Sequence, residues 1–193
     1  MIDSPENTGY NKLNTSIGKG CDDLRLVILG AGGFGRTIAD IVEQIGSHSE
    51  ICFLDDKSTD PHVVGKLEDF REFQGSNTEF YPAFGNNTFR LMWLDRLEAA
   101  GCRIATIIHP SAYVSPKAVI DHGTAILPRA MINTDCHIER GCILNMGALI
   151  DHGCILSEGT HVCIGGIVKA ENRIPAGLKI EAGHVVPDRV FPL

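Results

Sequence analysis

Two histidines, His152 and His161, stand nine residues apart in a 193-residue chain that carries eight. An imidazole ordinarily titrates near 6.5, so at neutral pH it is mostly uncharged and can accept a proton from an attacking amine or hydroxyl. A second chemistry-bearing run lies upstream. Gly30-Ala31-Gly32-Gly33-Phe34-Gly35 fits G-x-G-x-x-G at Gly30, Gly32 and Gly35, with Gly33 inside the turn. Such glycines let backbone N–H groups at a helix N-terminus approach a phosphate closely. Asp55 and Asp56 follow about twenty residues later, where a strand-terminal acid can accept hydrogen bonds from a ribose or a base.

Positioning those groups requires a recognisable set of elements. Residues 24–29 (LRLVIL) read as a buried strand running into the glycine turn. An amphipathic helix follows, with Ile38, Ile41, Val42 and Ile45 on one face, and ends near Gly46. A second strand over 51–54 delivers the two acids. A third apolar run, 81–84, leads into Gly85-Asn86-Asn87 and a helix to about Ala100, and 104–108 is expected to be a fourth strand. The unit spans about 85 residues, half or less of a full dinucleotide-binding domain, which suits a mononucleotide-type βαβ fold better than NAD. A purely structural tight turn is the alternative reading of the glycines.

The second half of the chain is governed by one period. From Val114 through Ile132, Ile150 and Val168 to Val186, an aliphatic residue occurs at every sixth position without a break. A helical stripe would repeat at three and four, and a simple strand at two. A strict six predicts three short strands per eighteen-residue coil, forming a triangular prism whose coils stack at about 4.8 Å. Four residues after each aliphatic comes a small residue, such as Ala130, Cys136, Cys142, Ala148, Cys154 and Gly166, suited to a tight corner. Cys136 should therefore lie over Cys154. After Gly166 that column holds Asn172, Leu178 and His184, which predicts an irregular last coil acting as a cap. The expected division is an N-terminal extension or strap over 1–23, an α/β unit over 24–108 and the prism over 109–193.

Composition narrows the partners. The formal charge of −7 offers no basis for binding nucleic acid or an anionic membrane. No stretch approaches the roughly 18 apolar residues of a membrane span, and residues 1–23 are too polar for a secretory signal. Seven cysteines form no C-x-x-C pair and fall largely at core positions, which reads as reduced thiols in a cytoplasmic protein.

The combination of LGAGGFG (29–35), FLDD (53–56), FGNN (84–87), HPSAYVSPKA (109–118), NMGALIDHGC (145–154) and HVCIGG (161–166) resembles the bacterial nucleotide-sugar acetyltransferases. Those include sialic acid O-acetyltransferases and N-acetyltransferases of UDP- or dTDP-linked amino sugars. The resemblance implies a left-handed β-helix, acetyl-CoA as co-substrate without a metal, and a homotrimer with acetyl-CoA between neighbouring prisms. It implies a sugar nucleotide held by Gly30, Gly32, Gly33, Gly35, Asp55, Asp56, Asn86 and Asn87. His152 would be the general base, Asn145 a polar neighbour, and His161 the group contacting the acetyl carbonyl. Gly165, Lys169, Arg173 and Lys179 join His161 as expected cofactor contacts. Lys179, eighteen residues after His161, should stack above it.

The hexad spacing agrees with a shared site. Nine residues is half a coil, so His152 and His161 should face different sides of one prism, roughly 15 Å or more apart. They converge only if neighbouring subunits each supply one, which a threefold assembly provides. Two departures stand out: relatives often carry an acid where this chain has Gly153, and they continue for further regular coils. Asp121-His122-Gly123 copies Asp151-His152-Gly153 five hexads earlier and reads as a repeat echo. Two other functions fit parts of the pattern: a non-catalytic sugar-nucleotide binder or scaffold, and a zinc-dependent carbonic-anhydrase-like prism with three converging imidazoles.

Overall fold

The computed structural model describes residues 24–192, so the expected N-terminal extension, 1–23, lies outside the described residues. The chain folds as a Rossmann-like α/β unit seated on a left-handed parallel β-helix.

In the α/β unit, β1 (Arg25–Leu29), β2 (Glu50–Leu54), β3 (Val63–Gly65), β4 (Thr78–Pro82) and β5 (Arg103–Ile104) form one parallel sheet in the order β3-β2-β1-β4-β5. The apolar run 26–29 is fully buried because helices cover both sides of a parallel sheet. Helix α1 (Gly33–Ile45) lays Ile38, Ile41 and Val42 on that core and stops at Gly46, whose φ of +68° closes the last turn. Helix α2 (Asn87–Ala99) buries Arg90, Trp93, Leu94 and Leu97.

Two expectations need correction here. The sheet has five strands rather than four, because the short edge strand β3 pairs with β2. The run 104–108 is not one strand. Ala105 N still donates to Phe80 O of the α/β sheet, whereas Ile107 N donates to Thr124 O of the prism. The ladder thus changes partner within two residues, and Ile107–Ile108 is the first strand of the β-helix, paired with Ala125–Ile126.

The prism has three parallel ladders. Face one stacks Ile107–Ile108, Ala125–Ile126, Ile143–Leu144, His161–Val162 and Lys179–Ile180. Face two stacks Tyr113–Val114, Met131–Ile132, Leu149–Ile150, Ile167–Val168 and Val185–Val186, and face three runs from Val119–Ile120 through His137–Ile138 and Ile155–Leu156 to Arg173–Ile174. From Val114 onward the second residue of each pair packs inward, and those from Ile126 to Val186 are at most 5% exposed. The Cys136 thiol lies against that of Cys154, as the column predicts.

The irregular last coil does not occur. Strands continue in register to Val186. Asn172 replaces a small corner residue without disorder because its amide donates to Lys169 O and Pro187 O, at 2.8 and 2.9 Å. Leu178 packs on the core and His184 turns outward. The cap lies further on: Phe191 N donates to Asn172 Oδ1, and Arg173 N donates to Phe191 O.

A second six-residue column controls the corners. Every sixth residue from Gly123 to Arg189 has φ between +54° and +71°. Eight of these positions are glycine, while Arg129, Asp135, Glu171 and Arg189 adopt the same left-handed conformation with a side chain.

Candidate active site

The glycine turn is built as the fingerprint requires. A Cβ on Gly35 would sit 1.9 Å from Gly30 O, so only glycine lets α1 approach β1 this closely. Gly32 and Gly33 have open space around them and are exposed, leaving the first turn of α1 accessible to an anion. The two acids are more engaged than the sequence suggested. Asp55 accepts from Ala31 N at 2.8 Å through one oxygen and from Lys57 N and Ser58 N through the other. Burial of Asp55 raises its pKa, but these three backbone N–H groups outweigh it and hold the carboxyl below the ordinary value. Asp56 accepts from Leu67 N. Both acids therefore shape the loops after β2, and Asp55 fastens that loop to the glycine turn.

Helix α2 docks on the corner between faces three and one. Cβ atoms on the stacked corner residues Gly123, Gly141 and Gly159 would lie 3.0, 3.0 and 2.6 Å from Leu94 and Leu91 side chains, so the glycines form a trough for the helix. Arg140 reinforces the seat by pairing with Asp95 and Glu98, and His122 pairs with Glu98. The repeat echo at 121–123 is thus an interdomain contact. Asn86 caps α2 by accepting from Phe89 N, while Asn87 Nδ2 donates to Gly177 O of the prism at 2.8 Å.

His161 lies under this junction, 8% exposed; among the described residues neither ring nitrogen has a partner at hydrogen-bond geometry, and the Gly85 backbone is a polar group acting on it. Burial, then the charges of Arg90 and Lys179, push its pKa down to about 4 against weaker opposing effects of Glu181 and the Gly85 backbone. The ring is therefore neutral at ordinary pH, with one N–H donor and one acceptor available. Asn87 Oδ1 is likewise buried and without a partner among the described residues. Lys179 stacks on His161 in register, as expected, and its ammonium pairs with Glu181.

His152 lies elsewhere, exposed at the corner between faces two and three, across the prism from face one. Its backbone N–H donates to Asp151 Oδ1, which also accepts from Asn133 Nδ2, so Asp151 shapes the corner. Gly153 belongs to the left-handed corner column with φ +66°, in which its stacked neighbours Asp135 and Glu171 carry acids. Asn145 caps its own turn at the corner between faces one and two by accepting from Met146 N. One chain therefore does not bring Asn145, His152 and His161 together. The expected cofactor contacts are also spread around the prism. Gly165 is at the corner after face one, Lys169 pairs with Asp188 at the corner after face two, and Arg173 is exposed on face three.

Sequence reading missed two features of the site. Arg90, fully buried, donates from Nε to Gly141 O, from Nη1 to Phe84 O and from Nη2 to Gly159 O, each at 2.8 Å. An arginine on the packed side of α2, beside Trp93 and Leu94, was the available signal. The other is the outward ladder of face two. Tyr113, Met131, Leu149 and Val185 are 52, 49, 37 and 43% exposed and, with Ile167, form an apolar stripe; all but Val185 line an open groove of about 450 Å³ that reaches Asp151 and Lys169.

Taken together, these features define a class: a hexapeptide-repeat β-helix carrying a nucleotide-type α/β unit on one corner. Residues 25–97 match the family described as the PglD N-terminal domain. The chain is 31% identical over 121 residues to the UDP-N-acetylbacillosamine N-acetyltransferase of Bacillus subtilis (strain 168), covering 53% of this chain and half the length of that curated relative. Its fold is similar to the acetyltransferase domain of PglB from Neisseria gonorrhoeae FA1090, with a TM-score of 0.83, 28% identity and coverage of 86% of this chain and 84% of that one. It also shares the fold of a perosamine N-acetyltransferase from Caulobacter crescentus solved with CoA and GDP-perosamine, at TM-score 0.62, 22% identity and coverage of 86 and 91%. The chain thus resembles the nucleotide-sugar acetyltransferases in both sequence and fold, as its motifs indicated.

Proposed function

We propose that the chain transfers the acetyl group of acetyl-CoA to the amine of a nucleotide-linked amino sugar, in a threefold assembly with active sites between subunits. The placement of His152 and His161 on separate sides of one prism carries this reading, together with the apolar stripe of face two that lies between them. Burying that stripe against a neighbouring prism removes apolar area from water at about 25 cal/mol per Å² and brings one chain's His152 toward another's His161.

In this arrangement the exposed His152 imidazole accepts the proton of the sugar amine as its nitrogen attacks the thioester carbonyl. The C–S bond breaks, and the proton returns to the departing thiolate, giving an amide and free CoA. No covalent enzyme intermediate forms. The neutral ring of His161 donates its one N–H to the carbonyl oxygen on which charge develops. Its two orphaned nitrogens fit that role, because a buried polar atom without a partner calls for one in the loaded state. The end of that groove at Asp151 and Lys169, at the margin of the buried stripe, is where acetyl-CoA would lie between neighbouring prisms. The open turn at Gly32–Gly33 suits the sugar nucleotide's phosphates.

That relatives of similar sequence or fold are N-acetyltransferases supports nitrogen as the acceptor atom. A UDP- or dTDP-linked amino sugar is the expected substrate, and a GDP-linked one belongs in the same panel. The scaffold alternative rests on Gly153 and on the shortened prism; the strands that are present stay in register to Val186. Titration with acetyl-CoA, followed by thiol release in the presence of UDP-, dTDP- and GDP-linked amino sugars, tests the proposal. Saturable binding and turnover with one of them is the expected result; absence of acetyl-CoA binding removes the reading.

A further inference from the structure

Among the described residues the buried Arg90 has no carboxylate partner; its charge is met by three carbonyl oxygens. Two of these, Gly141 O and Gly159 O, belong to consecutive coils of the same corner, and Asn87 Nδ2 takes the carbonyl of the next coil, Gly177. Two side chains of α2 thus read three stacked carbonyls in succession. The third Arg90 bond goes to Phe84 O and pins the start of the 84–87 turn. Gly159 is two residues from His161, and Gly177 two residues from Lys179, which pairs with His161.

Docking by itself does not require this arrangement. Leu91 and Leu94 already fill the glycine trough, and taking a guanidinium out of water is costly where an apolar side chain would pack as well. What the fork supplies, and an apolar residue cannot, is a fixed position of the 84–87 turn relative to the carbonyl ladder beneath His161. We propose that Arg90 is a positioning residue for acetyl transfer, holding the 84–87 turn in register over His161. This rests on the reading of the chain as an acetyltransferase. Arg90 also contributes a positive charge close to the imidazole, alongside Lys179 and opposed by Glu181, with the Gly85 backbone adjacent.

The test uses the full chain with Arg90→Lys, which keeps the charge but not the fork, and Arg90→Met, which removes both. Each variant is measured by thermal melting, assembly state, steady-state kinetics and NMR titration of the His161 ring. Both are expected to lower kcat by about 10–10²-fold while the KM for acetyl-CoA changes less than about threefold, since a small misplacement of a reacting group costs that much in rate. The His161 titration is expected to move to higher pH in Arg90→Met and to stay near its original position in Arg90→Lys. Turnover within twofold of the parent in both variants, or a loss that simply tracks the unfolded fraction, overturns the proposal. If Arg90→Met does not fold, Arg90→Lys decides by its kcat. If the parent chain turns over no sugar nucleotide, the function reading fails. The inference is then judged by the NMR signals of 84–87 and His161, which must shift in the Arg90 variants.

Discussion

His152 and His161 lie on opposite sides of one prism, the first exposed at the corner after face two and the second buried on face one beneath α2. Nine residues is half a coil, and the observed ladders preserve that half-turn without a bulge. Neither imidazole can serve the other within a single chain.

Removing the proposed base should therefore affect chemistry and not assembly. His152→Ala is expected to lower kcat/KM by about 10²–10⁴, with the oligomer unchanged by light scattering. Undiminished turnover would take His152 out of the mechanism.

Shared sites make a quantitative demand. His152→Ala and His161→Ala chains, each nearly inactive alone, should recover activity when refolded together. In a random threefold mixture about one site in four receives both intact histidines, one from each neighbour. Recovery near a quarter of the parent rate is expected; no recovery would place the site within single chains.

The glycine trough separates two costs. Gly159→Ala meets a left-handed backbone and a Leu91 carbon 2.6 Å away, whereas Gly177→Ala at φ +66° meets open space. Gly177→Ala should cost roughly 1–2 kcal/mol, and Gly159→Ala about 1–3 kcal/mol more from overpacking against α2. Equal melting temperatures for the two would argue against α2 seating on this corner.

Acid should loosen the fold through His161. Its folded pKa, about 4, lies below the ordinary 6.5, so the unfolded chain binds more protons between these values. The stability His161 contributes is full above pH 6.5 and falls as pH drops toward 4, by at most about 1.4 kcal/mol per pH unit. His161→Phe should flatten the dependence of Tm on pH in that window. An unaltered slope would show that the imidazole is not held neutral by its surroundings.

Corner packing is the last check. Ala148 is fully buried in the small column, and Ala148→Leu should cost about 1–3 kcal/mol in a chemical denaturation curve. A variant as stable as the parent would mean that the corner has room the structure does not show.

The sequence by itself determined the β-helix, the glycine turn and the separation of the two histidines. Each is a matter of period or of local backbone chemistry: aliphatics at every sixth residue fix which side chains face inward, and Gly35 is dictated by the chain five residues before it. It misjudged the last coil because an amide can replace a small corner residue when carbonyls surround it, as Asn172 shows. Only the tertiary structure decided what α2 does. Arg90 reaches carbonyls 51 and 69 residues away, and Gly123, Gly141 and Gly159 acquire their shared role by stacking under one helix. Burial of Arg90 and the orphaned nitrogens of His161 arise where two separately folded surfaces meet. No local pattern encodes that meeting, because hydrogen-bond partners and desolvation are set by neighbours in space.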